Sequence, residues 1–442
     1  MSISSFKIKR RKKEHELENE EQSTCISECI LEGISPIQKY KSKPAIGVTT
    51  FSRQMWCEQS LEICLERNIK ITSKAIEEGL KHHEELELED HNVLDVLVEN
   101  EYEGIAVDML STVNLLNAVL ERGYVRELPI TGFFNGIMLR GIIDSIKLKP
   151  KFGNDLIRYN YENVDKYKIL ITDTKTRRNN TLPSNLQQKT TVIQLGLYKK
   201  ILGEMINFGR DWAENHSDIT NYDLMIDKCH LYSKDTHNLE NCCLGCNYLH
   251  KIFNIYGIDP YIKFKEYREI NEKNLELEMN SDKKEVVLES VQNSENNDNL
   301  NGESDDKIDR AEVGIDGLEA LGSYENALQI GFHMLYNLSK LPEIQTEMKV
   351  EYDCQGKTFA TKWYRSPDET IDTELEYLLN WWLGYRDTET IRVSESWKCK
   401  FCNVIEYCNS CPLPEDEKEK YIQQNRQNEL DLILLKGLEA ET

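Results

Sequence analysis

Two acids stand at or near the ends of apolar strand-like runs. Asp144 follows Gly-Ile-Ile in LRGIIDSI, and Asp173 follows KILIT in KILITDTKTR. An unpaired charge at such a place is costly, so each carboxylate calls for a partner. Lys175 lies two residues beyond Asp173, and on a strand positions i and i+2 share a face. Asp173 and Lys175 therefore project together, with the Thr174 carbonyl between them. This set suits phosphodiester hydrolysis. Two carboxylates can hold one or two Mg²⁺, a cation that takes oxygen ligands. Such a metal polarises a phosphate and lowers the pKa of water. A neighbouring lysine can orient that water or offset charge building on the phosphate. Many D-x-K triplets after strands are only surface ion pairs, and the triplet alone leaves both readings open.

Other residues can join the acids. GLKHHEELELE places Gly79, His82 and His83 on a helical stretch followed by acids. Adjacent histidines point to different helix faces, so at most one is a ligand. Gln194 and Tyr198 are four apart on the following helix and share a face. They can contact phosphate or position Lys175; otherwise they form the polar edge of an amphipathic helix. TRRNNTLPSNLQQKT supplies Arg177, Arg178 and Lys189, a basic stretch where a nucleic-acid backbone would be neutralised.

A second chemistry belongs to sulphur. KCKFCNVIEYCNSC, residues 398–411, holds Cys399, Cys402, Cys408 and Cys411. The C-x(2)-C pairs are the common grip of tetrahedral zinc, and spacing alone favours that metal. A further group comprises Cys229, His230, Cys242, Cys243, Cys246 and His250. It reads as a zinc site or as a loop of reduced thiols. Thirteen cysteines in a chain without a secretory apolar core argue against a disulfide framework.

The elements that must position these residues read as α/β. Residues 1–44 read as a flexible charged extension, containing KIKRRKK. A helix is expected from near Thr50, a longer one over 72–98 and a third over 103–121, ending at Gly123. VRELPITGFFNGIMLRGIIDSIKL and YKILITDTKTR read as strands. TTVIQLGLYKKILGEMIN reads as a helix with Ile193, Leu197 and Ile201 inward. Residues 228–250 read as an insertion, and 271–310, with twelve acidic and five basic residues, as a disordered linker. Order is expected to resume near Ile315. Strands are then expected in EIQTEMKVEYDCQGKTFATKWY and a helix in TELEYLLNWWLGYR, before the cysteines and a tail over 413–442.

A net charge of −23 does not by itself suggest a nucleic-acid binder, although it hides local basic stretches. No apolar run is expected to approach the roughly 20 residues that span a bilayer. No G-x-x-x-x-G-K-[ST] phosphate loop is present, so ATP-driven unwinding would need a partner.

The ordered set G-x-x-x-H, G-I-I-D, D-T-K-T-R-R, L-P and Q-x-x-x-Y resembles the RecB-type PD-(D/E)XK nucleases. With Trp56-Cys57 and the K-C-x(2)-C-x(5)-C run from Lys398, it is similar to the exonuclease V family over 45–200 and 340–412. The resemblance implies a nuclease core over 45–412, a mixed sheet flanked by helices. It adds a helical N-terminal part and a C-terminal iron–sulfur clasp. It also implies 5′-directed digestion of single-stranded DNA with Mg²⁺. Asp144 and Asp173 would be metal ligands with His83, His82 being the fallback, and Lys175, Gln194 and Tyr198 would be catalytic. Cys57, Cys399, Cys402 and Cys408 would hold a [4Fe–4S] cluster, leaving Cys411 as a spare or competing ligand. Position 173 is Asp where many relatives carry Glu. A monomer is expected, working with a single-strand DNA-binding protein at most and no membrane. Fungal members act in mitochondria and animal ones in the nucleus. The Asn-rich acidic linker reads as fungal and sets the expectation at the mitochondrion. The competing readings are a non-catalytic zinc-binding interaction protein and a nuclease subunit of a helicase complex.

Overall fold

The computed structural model of the 442-residue chain describes residues 4–10, 34–40, 45–98, 101–151, 159, 161–216, 243–257, 326–365 and 369–440. The expected linker 271–310, the restart near Ile315, and Cys229, His230 and Cys242 lie outside these residues. In chain order, the first elements are β1 (Ser4–Arg10), α1 (Pro36–Lys39), β2 (Ile46–Gly47), α2 (Val48–Ser52) and α3 (Glu58–Glu66). Next come α4 (Lys74–Asp90), β3 (Asn92–Val98), α5 (Glu101–Arg122), β4 (Tyr124–Phe134), β5 (Ile137–Pro150) and β6 (Tyr167–Thr176). The rest are α6 (Asn185–Asn215), α7 (Leu244–Tyr256), α8 (Ala327–Lys340), β7 (Glu347–Cys354), β8 (Lys357–Arg365), α9 (Glu369–Trp382) and α10 (Glu415–Ala440).

The architecture is mixed α/β, with a central sheet flanked by helices. Its backbone is the hairpin of β4 and β5, closed by Asn135 and Gly136 at φ 46° and 85°. Asn-Gly is the pair that such two-residue turns favour. β4 occupies one edge of β5 along its length. The other edge is shared: β2 pairs in parallel at Leu139–Arg140, and β6 pairs antiparallel from Ser145 to Pro150. β7 then lies parallel to β6, and β8 antiparallel to β7. The main core comes from the inner faces of this sheet with α5, α6, α7 and α8.

Several expectations change. The helix expected from Thr50 is broken into α2, a 3₁₀ turn at Arg53–Met55 and α3, so that Cys57 falls at the break and caps α3. The long helix expected over 72–98 stops at Asp90. There His91 turns extended and is buried beside Ser5, and NVLDVLV becomes a strand parallel to β1. β1 lies inside the segment expected to be a flexible extension. Apolar β-branched residues favour a strand here once a partner is available. The stretch Gly104–Arg122 of α5 is, contrary to expectation, long and apolar enough to cross a membrane, with mean hydropathy 1.2. Its 78% burial in the fold makes it a core helix. The expected insertion instead yields α7, whose Cys246, Tyr248, Leu249, Ile252 and Phe253 join the main core. Their i, i+3, i+7 spacing is that of an inward helix face. The expected tail carries α10.

Candidate active site

β5 and β6 stop pairing at Ser145–Thr172. One step beyond, Asp144 and Asp173 oppose each other where the strands part. On the other side of β5, Glu127 stands across from Asp144, between the pairs Arg126–Ser145 and Leu128–Ile143. Three carboxylates thus lie in one row across three neighbouring strands. Both aspartates sit inside strands rather than at strand ends, since β5 runs on to Pro150 and β6 to Thr176. Parting strands leave backbone donors without ladder partners. The Thr174 N–H is taken up by Asp144, donating to Oδ2 at 2.6 Å.

α4 carries the next group to this row. His83 Nδ1 meets Glu127 Oε1 at 2.9 Å. Its Nε2 lies 3.1 Å from the Thr174 carbonyl and 3.7 Å from Asp144 Oδ2. His82 points elsewhere, with Nε2 3.2 Å from Asp353 Oδ2. Among the described residues, His83, Glu127 and Asp144 form the one His/Cys/carboxylate group whose ligand atoms all fall within 4.8 Å of one another. Asp173 completes the pocket differently. Its Oδ1 accepts from Lys175 Nζ at 2.9 Å, while its Oδ2 is buried with no hydrogen-bond partner. A buried carboxylate oxygen without a donor is expensive, and it is the kind of atom a divalent cation would satisfy.

α6 fixes the lysine. Ser184 and Gln187 form a reciprocal capping box at its start, which sets the helix phase. Gln194 Oε1 accepts from Lys175 Nζ at 3.4 Å, and Gln194 Nε2 donates to the Tyr198 hydroxyl at 3.1 Å. Gly141 makes room for this arrangement. A Cβ there would sit 2.6 Å from the Tyr198 ring.

The charges are tightly linked. Burial raises Asp173 to about 7; the Asp144 charge adds to this and Lys175 opposes it. Burial raises Asp144 too, against Lys175 and His83. His83 is pushed up to about 9, because its bond with Glu127 and the charge of Asp144 outweigh burial. Lys175 is held charged by Asp173 and Asp144 despite burial. Two buried aspartates with raised pKa values, beside a fixed cation, make a site waiting for positive charge.

The basic residues expected along the DNA backbone are partly engaged. Arg178 pairs with Glu78 and Lys189 with Glu374, both on the surface. The Arg177 N–H bonds the Asp353 carbonyl.

The sulphurs form a separate place. Cys57, Cys399, Cys402, Cys408 and Cys411 line one cavity, with Trp56 and Lys398 at its wall. Lys398 Nζ donates to the Trp56 carbonyl at 3.0 Å, and Arg386 pairs through both guanidinium arms with the buried Glu58 next to Cys57. Burial raises the thiols of Cys57, to about 11, and of Cys399, Cys402 and Cys408. Cys243 immediately precedes α7 and Cys246 lies on it, with their sulphurs 3.5 Å apart. His250 bonds Asn254, and among the described residues no trio of ligand atoms converges there within 4.8 Å.

A family model described as "Exonuclease V - a 5′ deoxyribonuclease" matches residues 35–156 and 149–410. The chain belongs to the exonuclease V family. A relative named "Exonuclease V", from Danio rerio, is 31% identical over 187 residues, which make up 41% of this chain and 43% of that protein. The alignment therefore spans less than half of that relative's length. The exonuclease V match takes in the row of carboxylates, α6 and the cysteines from Cys57 to Cys408. β1, Cys411 and α10 fall outside it.

Glu127 is the site residue that the sequence reading missed. It sits in VRELPIT between the buried Val125 and Leu128, and that was the available signal: an acid inside an apolar strand. Its φ of 51° is left-handed, a conformation that costs a non-glycine residue about 1 kcal/mol or more and collects at functional sites.

Proposed function

We propose that this chain is a Mg²⁺-dependent exodeoxyribonuclease that degrades single-stranded DNA from 5′ ends. The observation that carries this reading is the row of Glu127, Asp144 and Asp173 beside Lys175, with one buried Asp173 oxygen left unpartnered. The residues fit the metal: three carboxylates and the Thr174 carbonyl supply oxygen, and His83 offers Nε2. When bound, Mg²⁺ supplies Lewis acidity toward the phosphate and activates water. Glu127 holds Nδ1 of His83 and so leaves Nε2 facing Asp144. Lys175, kept charged and one-third exposed, meets the incoming phosphate and offsets the charge that builds on it. Gln194 keeps Lys175 in place, with Tyr198 behind it.

The cysteine cavity is proposed to hold a [4Fe–4S] cluster through Cys57, Cys399, Cys402 and Cys408, closing the fold between its distant ends. Cys399 is buried and Cys57, Cys402 and Cys408 are half-buried; their raised pKa values mean that a bound cation is what would offset the charge of the thiolates. Tetrahedral zinc at about 2.3 Å from each sulphur would bring the sulphurs to roughly 3.8 Å. Among the described residues no three cysteine sulphurs converge even within 4.8 Å, which suits a wider group. Family membership and this site support work in DNA replication, recombination or repair. Mitochondrial genome maintenance is the proposed setting, with the nucleus as alternative.

The finer claims are tested with single-stranded DNA blocked at one end or the other. A 3′ block should leave digestion intact and a 5′ block should stop it. The reverse pattern would overturn the polarity, and equal cutting of duplex DNA would overturn the strand preference.

A further inference from the structure

α7 presents two thiols that the nuclease site does not use. Cys243 is the N-terminal flanking residue of this 13-residue helix and is half-buried, whereas Cys246, one turn on, is 4% exposed. Both are thiols, and their sulphurs stand 3.5 Å apart. The turn that carries them is anchored on α6. Gly245 donates its N–H to Asp211 Oδ2 at 3.3 Å. It also packs so closely that a Cβ would lie 2.6 Å from the Phe208 carbonyl. The pair is thus held near bonding distance by packed backbone, with one sulphur reachable and the other enclosed.

We infer that Cys243 and Cys246 are a reversible thiol–disulfide site whose substrates are low-molecular-weight disulfides. The thiolate of Cys243 attacks one sulphur of the reagent, forming a mixed disulfide and releasing one thiolate. The deprotonated Cys246 then attacks the Cys243 sulphur and expels the second. Two electrons pass from the protein to the reagent, and the two protein protons end on the two released thiols. Exchange needs an attacking thiolate that is accessible and a second thiol close enough to resolve it. The helix start favours the first condition. The Cys243 thiol is lowered to about 7 by its hydrogen bond with Cys246, against burial and Asp211. Closing the pair needs the sulphurs to move to about 2.0 Å, a small side-chain motion.

The inference stands apart from the nuclease reading, since neither thiol lies in that site. The test equilibrates the full chain in buffers of oxidised and reduced glutathione, followed by acid quench, alkylation and peptide mass mapping. The 243–246 peptide should lose two hydrogens as the buffer becomes oxidising and regain them in dithiothreitol. Cys246→Ser should stop at a glutathione adduct on Cys243. Cys243→Ser should show neither product, and serine is itself a good helix cap, so α7 is retained. Full alkylation of both thiols in the most oxidising buffer would overturn the inference. So would zinc bound by the pair that protects both from alkylation.

Discussion

Asp144 Oδ2 accepts a hydrogen bond of 2.6 Å from the Thr174 N–H, at the point where β5 and β6 part. One bond closes the break in the ladder and also fixes the carboxylate. It places the Thr174 carbonyl beside His83 and turns Asp173 and Lys175 to one side. Sheet topology and site geometry are therefore the same fact.

Asp173 is buried and raised to about 7. A carboxyl whose folded pKa lies above its unfolded value binds more protons when folded. It therefore loses stability as pH rises from about 4 through about 7. Asp173→Asn should abolish nuclease activity yet raise the melting temperature in chelator at pH 8, by about 2 °C or more. The gain should shrink toward pH 6. Calorimetry at both pH values checks the sign.

Glu127 lifts His83. Folded His83 at about 9 contributes stability that is complete below about 6.5 and lost as pH rises through about 9. Glu127→Gln should bring the His83 pKa down, read by NMR of the ring. Its stability deficit against wild type should narrow between pH 6.5 and 9. Activity should fall as well, because the ring loses its anchor.

Gly141 is a packing requirement of the site. Gly141→Ala sets a methyl group 2.6 Å from the Tyr198 ring, so the ring must shift and take Gln194 with it. The expected cost is about 1–3 kcal/mol, measured by denaturant unfolding, together with a lower rate at unchanged metal dependence.

That Asp144, Asp173, Lys175, Gln194 and Tyr198 come together was legible because strand and helix spacing sets which residues share a face. Glu127 was not, because a left-handed residue inside a strand leaves no periodic trace. β1 and β3 were hidden for another reason. They pair across the register Ser4–Asn92, and neither is a strand without the other. In α7 the cysteines drew the reading toward an inserted loop, of reduced thiols or around zinc, although Tyr248, Leu249, Ile252 and Phe253 already had core spacing.

The sulphur site makes a separate prediction. After anaerobic purification the chain should carry about four iron and four sulfide. Cys57→Ser should lose both, and Cys411→Ser should keep them. Stoichiometric zinc without sulfide, unchanged by Cys57→Ser, would contradict the cluster.

The most direct measurement is nucleotide release from end-labelled single-stranded DNA by wild type and Lys175→Met, with Mg²⁺ and with chelator, after circular dichroism shows matching folds. Wild type should release nucleotides only with the metal, and Lys175→Met should be slower by about 10² or more. Equal rates for the two proteins, or no release by wild type, would contradict the site described at Asp144 and Asp173.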